Sequence, residues 1–94
     1  MYARVSTWRA KPEDFSVLYR EVANTVAQIK QQAGYMSGLE IQVASDTRMI
    51  VSFWRSEREI AEAFDASADA IRSLMKCGRL TLIDVKTGPV EKWV

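Results

Sequence analysis

The stretch "MIVSFW", residues 49–54, is apolar on both of its alternating faces apart from Ser52, and it runs straight into the charged "RSERE". Successive side chains of a strand point to opposite sides, so Met49, Val51 and Phe53 face one way and Ile50, Ser52 and Trp54 the other. A strand of this kind needs cover on both sides. A chain of 94 residues makes one domain. One layer of helices can cover one side of its sheet, and the second side must be covered by something else.

The rest of the chain supplies the other elements. "YARVSTWR", residues 2–9, is β-rich and reads as a first strand. Pro12, Glu13 and Asp14 suit a first helical turn. Phe15, Leu18, Val22, Val26 and Ile29 then form one apolar stripe on a helix of about five turns ending near Gly34, with Val17 as the misfit on its polar face. "MSGLEIQVA", residues 36–44, alternates Leu39, Ile41 and Val43 against Glu40 and Gln42 as a half-buried strand. "SDT", 45–47, turns it into a hairpin with 48–54. "SERE", 56–59, is a capping box that opens a helix. Ile60, Phe64, Ile71, Leu74 and Met75 continue its apolar face, "DASAD" at 65–69 breaks it in two with Ser67 capping the second half, and Gly78 closes it. "RLTLIDVKT", 79–87, is a fourth strand, with Leu80 and Leu82 on one side and Ile83 and Val85 on the other. Gly88-Pro89 ends it.

The order β-α-β-β-α-β predicts an α+β, ferredoxin-like domain over residues 1–94: a four-stranded antiparallel sheet with its helices on one face. The other face would carry much apolar surface, and the tail 88–94 adds Val90, Trp93 and Val94. Such a patch marks an interface. The expectation is a homodimer through the sheet face on a two-fold axis, with the tail packing on the partner subunit.

Composition narrows the function. The chain has no histidine, which removes Ser-His-Asp and Cys-His catalysis and a histidine-ligated haem. One cysteine and no histidine cannot fill the usual zinc sites. Thirteen basic against 12 acidic residues give a net charge of +1, no footprint for nucleic acid or an anionic membrane. "RMIVSFW" also lacks the glycine of the aromatic RNA-binding motif on a ferredoxin-like sheet. No apolar run approaches the ~18 residues of a membrane span, and "MYARVSTWRAK" does not read as a secretion signal. The single Cys77 cannot form an internal disulfide, which suits the cytoplasm, and it reads as a half-buried thiol near a helix end.

"MIVSFW" running into "RSEREIAEAF" resembles the strand–helix stretch of the antibiotic biosynthesis monooxygenase family, and "GYMSGLEIQVA", 34–44, resembles that family's approach to its second strand. The resemblance implies the dimeric α/β barrel, with a pocket between helices and sheet in each subunit. Members include cofactor-free oxygenases of quinol or anthrone-like compounds, haem degraders and small isomerases. The family's strand-end tryptophan falls on Trp54. Phe64 stands about where many members carry a histidine, and "VSTW" lacks the first-strand asparagine of the haem degraders. Both departures speak against haem degradation.

Cofactor-free oxygenation needs an electron-rich enol or phenol, a dry site that holds it flat, and a polar anchor for the anion. Trp54 is either a wall donating its indole N–H to a substrate oxygen or a core residue at the sheet edge. Trp8 is a second wall or core. Tyr35 either anchors a substrate with its phenol or packs beside Gly34. Phe64 and Met75 lie at helical core spacing and read as core, and Phe64 also counts among the candidate substrate-binding residues. Arg4 and Arg72 either hold an anionic substrate or are solvated. The expected protein is therefore a cytoplasmic homodimer, a cofactor-independent monooxygenase-like oxidoreductase for a small phenolic, quinol or polyketide-type aromatic ligand. The alternative is a non-catalytic ligand-binding or isomerase-type dimer.

Overall fold

The computed structural model describes residues 1–94. Its elements run β1 (Tyr2–Arg9), α1 (Pro12–Val17), α2 (Tyr19–Lys30), β2 (Tyr35–Ala44), β3 (Thr47–Trp54), α3 (Glu57–Ala66), α4 (Ala68–Met75) and β4 (Thr81–Pro89). The strands form one antiparallel sheet in the order β2-β3-β1-β4. This is the ferredoxin-like α+β arrangement, with each helical segment divided in two. The molecule is 18 Å thick in its thinnest direction, room for one sheet and one helix layer at a spacing of about 10 Å. The helices therefore cover one side of the sheet only.

The expected single helix over residues 12–33 bends at Leu18, whose backbone (φ −90°, ψ −1°) ends α1 and starts α2. Leu18 is buried there, while Val17, the misfit of the stripe, is exposed. The backbone bonds continue through the bend, from Leu18 N–H to the Asp14 carbonyl and from Val22 N–H to the Leu18 carbonyl, both 2.9 Å. No proline or glycine marks the position. Packing of Leu18 against Trp8 overrides local propensity.

Two strands place their side chains differently from the simple alternation. β1 and β4 shift register between Thr7 and Trp8, so Leu82 lies opposite Trp8 and Val85 opposite Ser6. The extra residue is Ile83, and it brings Val85 to the same side as Leu82 rather than the opposite one. The open side of β4 then carries Asp84 and Lys86, facing Thr7 and Val5. β4 also continues through Gly88 to Pro89, opposite Tyr2, which an edge strand tolerates. In β2 the apolar set points away from the helices: Leu39 faces Val51 and Ile41 faces Met49. Leu39 is 49% and Ile41 42% exposed. The hairpin turns through Ser45-Asp46, and no residue besides Gly34 and Gly78 has positive φ. Two-residue hairpin loops usually need positive φ to match strand twist, and here a register shift between Gln42 and Ala44 takes up the mismatch.

Away from Leu18, the ends of the helices follow sequence chemistry at Ser56 and Gly78 but not at Ser67. Ser56 caps α3, its Oγ accepting from Glu59 N–H at 3.2 Å and donating to Glu59 Oε1 at 2.9 Å. Gly78 (φ +75°) closes α4, its N–H bonding the Met75 carbonyl. Ser67 sits at the α3–α4 joint as expected but caps nothing: it is fully buried and its Oγ has no partner. Cys77 is exposed, not half-buried, with its Sγ 3.7 Å from the Leu74 carbonyl. The tail returns over the open side, where Val90 N–H bonds the Met1 carbonyl and Trp93 lies 5.6 Å from Phe53, centroid to centroid.

Gly34 (φ +88°) joins α2 to β2 and packs on Glu59, where an added Cβ would lie 2.5 Å from Glu59 Cδ. Glu59 is 8% exposed and accepts from Arg55 Nε at 3.0 Å. The hydrogen bonds from Arg55 and then Ser56 hold its carboxyl below the usual carboxylate range. Two outcomes follow. Gly34→Ala should lose about 2 kcal/mol or more in urea unfolding, because both the dihedral and the space reject a Cβ. The carboxylate's contribution is complete above the unfolded-state pKa of 4.5 and disappears as pH falls through the lower folded value. Glu59→Gln should therefore flatten the stability–pH curve in the acid range below that point.

Candidate functional site

The core beneath the helices is divided. One cluster joins Trp8, Ala10, Leu18, Leu74 and Leu80, and the other joins Trp54, Ile60 and Ala63. Trp8 lies opposite Arg48 and Trp54 opposite Tyr2, so the clusters sit about 20 Å apart along β1 and β3. Between them the sheet carries the rows Gly38–Ser52–Arg4–Thr87 and Glu40–Ile50–Ser6–Val85, each residue facing its neighbour across the ladder. Gly38, Ser52 and Ser6 are small, so this part of the floor is low. A cavity of about 280 Å³ lies above it, roofed by Val22, Thr25, Val26 and Ile29 of α2.

The two serines have a second role. Ser6 Oγ accepts from Trp8 Nε1–H at 2.9 Å, and Ser52 Oγ accepts from Trp54 Nε1–H at 2.8 Å. Each bond joins residues two apart on one strand, hence on the same side. Trp54 is 0% exposed. A buried indole N–H without such a partner is costly.

Two polar groups beside the low floor, the Tyr35 hydroxyl and the Arg4 guanidinium, lack a protein hydrogen-bond partner. The Tyr35 ring stands edge-on to Trp54 at 5.4 Å, and its hydroxyl reaches over Gly38, where a Cβ would come within 2.9 Å of Oη. Glycine at 38 therefore makes room for the phenol. The Arg4 guanidinium lies over Phe64, 3.6 Å from the ring centroid, and burial lowers its pKa to about 10. It is charged at neutral pH, at a cost in stability that is relieved only as pH rises above about 10. Toward the Trp8 end, Arg48 stacks over Phe15 at 4.1 Å and donates to the Ala44 carbonyl. Lys30 and Glu40 complete the charged lining.

Of the residues singled out in the sequence, Trp8, Tyr35 and Phe64 line this cavity and Arg4 joins them. Trp54 stands behind the wall, against Tyr35 and against Phe64 at 5.9 Å, with its N–H directed to Ser52 rather than into the space. Arg72 lies on the exposed side of α4, paired with Asp69, away from the cavity. Met75 packs on the Trp8 cluster. Sequence reasoning passed over Ser6, Gly38, Arg48 and Ser52. Strand parity was the available signal, since it groups Arg48 with Ile50, Ser52 and Trp54, and Arg4 with Ser6 and Trp8. No group of three or more Cys, Asp or Glu side chains comes together as a metal site, and no helix is long and apolar enough to cross a membrane.

Ser52→Ala should cost about 1–3 kcal/mol in urea unfolding, because it orphans the Trp54 N–H without disturbing the ring's packing. A loss near zero would show that water reaches the indole.

No protein-family model matches the chain, and no curated sequence does. Solved structures do. A variant of SnoaB, a cofactor-independent oxygenase from Streptomyces nogalater, superposes with a TM-score of 0.78 at 12% identity, over 99% of this chain and 95% of that one. A candidate antibiotic biosynthesis monooxygenase from Deinococcus radiodurans gives 0.80 at 16% identity, over 100% and 96%. Another candidate from Chloroflexus aurantiacus gives 0.64 at 21% identity, over 99% and 96%. The chain has the ferredoxin-like α+β fold of the antibiotic biosynthesis monooxygenase-like structures.

Proposed function

We propose that the cavity binds a flat, electron-rich aromatic compound of phenolic, quinol or polyketide type, and that the protein oxidises it with O2 and no added cofactor. The observation that carries this reading is the apolar space between two tryptophan clusters, with the Tyr35 hydroxyl and the Arg4 guanidinium in its wall. SnoaB, of like fold, is a cofactor-independent oxygenase, which supports the reaction class. For an anthrone-like substrate the ring CH2 becomes a carbonyl. One oxygen atom of O2 enters the carbonyl, and the other leaves as water with the two hydrogens. Trp8 and Phe64 bound opposite ends of the space that takes the ring system, with Trp54 fixing Phe64 and Tyr35 from behind. The Tyr35 phenol donates to the oxygen on which charge develops, and the apolar side chains around it strengthen that bond. Arg72 has no part in this site.

One observation favours a second reading, a binding protein or isomerase without oxygenation. The lining contains a single carboxylate, Glu40, and no histidine, so it is poor in general bases. Oxygen uptake with a panel of quinols and anthrones separates the two. Wild type should exceed the uncatalysed rate with no flavin, metal or haem added. Val26→Trp, which fills the cavity from α2, should return uptake to background. Uptake by neither protein would favour the binding reading.

We further propose that a second copy covers the open side of the sheet, forming the dimeric barrel. Leu39, Ile41 and Val43 lie exposed there, and Trp93 is 72% exposed beside Phe53. One exposed cysteine in a chain without disulfides suits the cytoplasm. Light scattering at micromolar concentration should give the mass of two chains, and Val51→Asp should give the mass of one. A wild-type mass of one chain would end the dimer reading.

A further inference from the structure

We propose that the aromatic compound held in the cavity carries a carboxylate and that Arg4 binds it. The inference deepens the reading of the cavity as an aromatic site and rests on it.

The charge on Arg4 is unmatched within the protein. Arg9, Arg55, Arg58, Arg72 and Arg79 each reach a carboxylate: Asp46, Glu59, Glu62, Asp69 and Asp14. Arg48 reaches the Ala44 carbonyl. Arg20 is exposed. Arg4 alone is drawn out of water with neither a carboxylate nor a carbonyl to receive its N–H groups. Its one close partner is the Phe64 ring.

The geometry of that contact matters. Stacking engages the flat face of the guanidinium and leaves its N–H donors free in the plane of the group. Those donors match a carboxylate in a two-point bond, which is stronger and more directional than a bond to a neutral oxygen. Leaving a charge half-buried and unpaired destabilises the free protein, and such groups concentrate at sites where a ligand completes them. The other charges of the lining do not supply the missing anion. Glu40 lies on the edge strand β2, in the next row and opposite Ile50, while Lys30 and Arg48 add positive charge. Small neighbours leave room as well: Ser52 lies directly opposite Arg4, and Gly38 beyond it. A ligand carboxylate on Arg4 therefore puts the attached ring over a low floor, toward the Tyr35 hydroxyl.

Binding of naphthalene-2-carboxylate and its neutral isostere naphthalene-2-carboxamide, followed by tryptophan fluorescence at neutral pH, tests this without turnover. Wild type should prefer the carboxylate by about 10- to 100-fold, the value of a charge-assisted hydrogen-bond pair. Arg4→Gln should abolish the preference, bringing the carboxylate to the affinity of the amide. Arg4→Lys, which keeps the charge and loses the fork, should retain part of it. Arg58→Gln, on the exposed side of α3, should behave as wild type. Arg4→Gln should also melt no lower than wild type, since it removes an unpaired charge. Equal affinities in wild type, a preference that survives Arg4→Gln, or no saturable binding of the carboxylate would each overturn the proposal. The two readings fail separately. A carboxylate preference without oxygen uptake sinks the oxygenase and keeps this inference. Uptake of neutral quinols with no carboxylate preference does the reverse.

Discussion

Two indole N–H groups have to be satisfied away from water, and the rest of the molecule is arranged around how that is done. Each is met by a serine two residues back on its own strand, Ser6 for Trp8 and Ser52 for Trp54. The tryptophans anchor the two ends of the core, while the serines, being small, leave the middle of the sheet low. A helix resting on the two tall clusters spans the gap, and the space below is the cavity. The hollow is thus a by-product of hydrogen-bond satisfaction and not a packing failure.

This also explains the serine in "MIVSFW". Among apolar neighbours Ser52 looks like a flaw on the buried side of a strand. It is the acceptor that allows Trp54 to be wholly buried. The other side of the same strand, with Met49, Val51 and Phe53, continues into Leu39 and Ile41 of β2. The two-faced strand thus has helices on one side and an apolar surface left open on the other.

Much of the fold was legible because local chemistry specifies it. The capping serine, the two glycines at positive φ, the hairpin and the element order all depend on neighbours in sequence. What stayed hidden depends on partners far away. A bulge is a mismatch between two strands, so the side on which Val85 falls could not be read from β4 alone. The bend at Leu18 comes from packing against Trp8, and the orphaned hydroxyl of Ser67 from the close joint of two helices. For the site, the aromatic walls stood out by residue type. The contributions of Ser6, Gly38 and Ser52 lie in being small, which no side-chain chemistry announces. Arg4 was visible as a charge, yet its isolation from every acid became visible only in three dimensions.

The pairing of each tryptophan with its serine has a consequence for how such a chain changes over generations. A residue that touches only a ligand is free to drift once the ligand is gone. Ser6 and Ser52 are not free in this way: a smaller replacement leaves a buried donor without a partner, and a larger one meets the indole it serves. Selection for folding alone would hold both in place. Descendants that exchange one ligand for another, or lose theirs, would inherit the hollow, so new specificities can arise by changing the walls above a floor that stays constant.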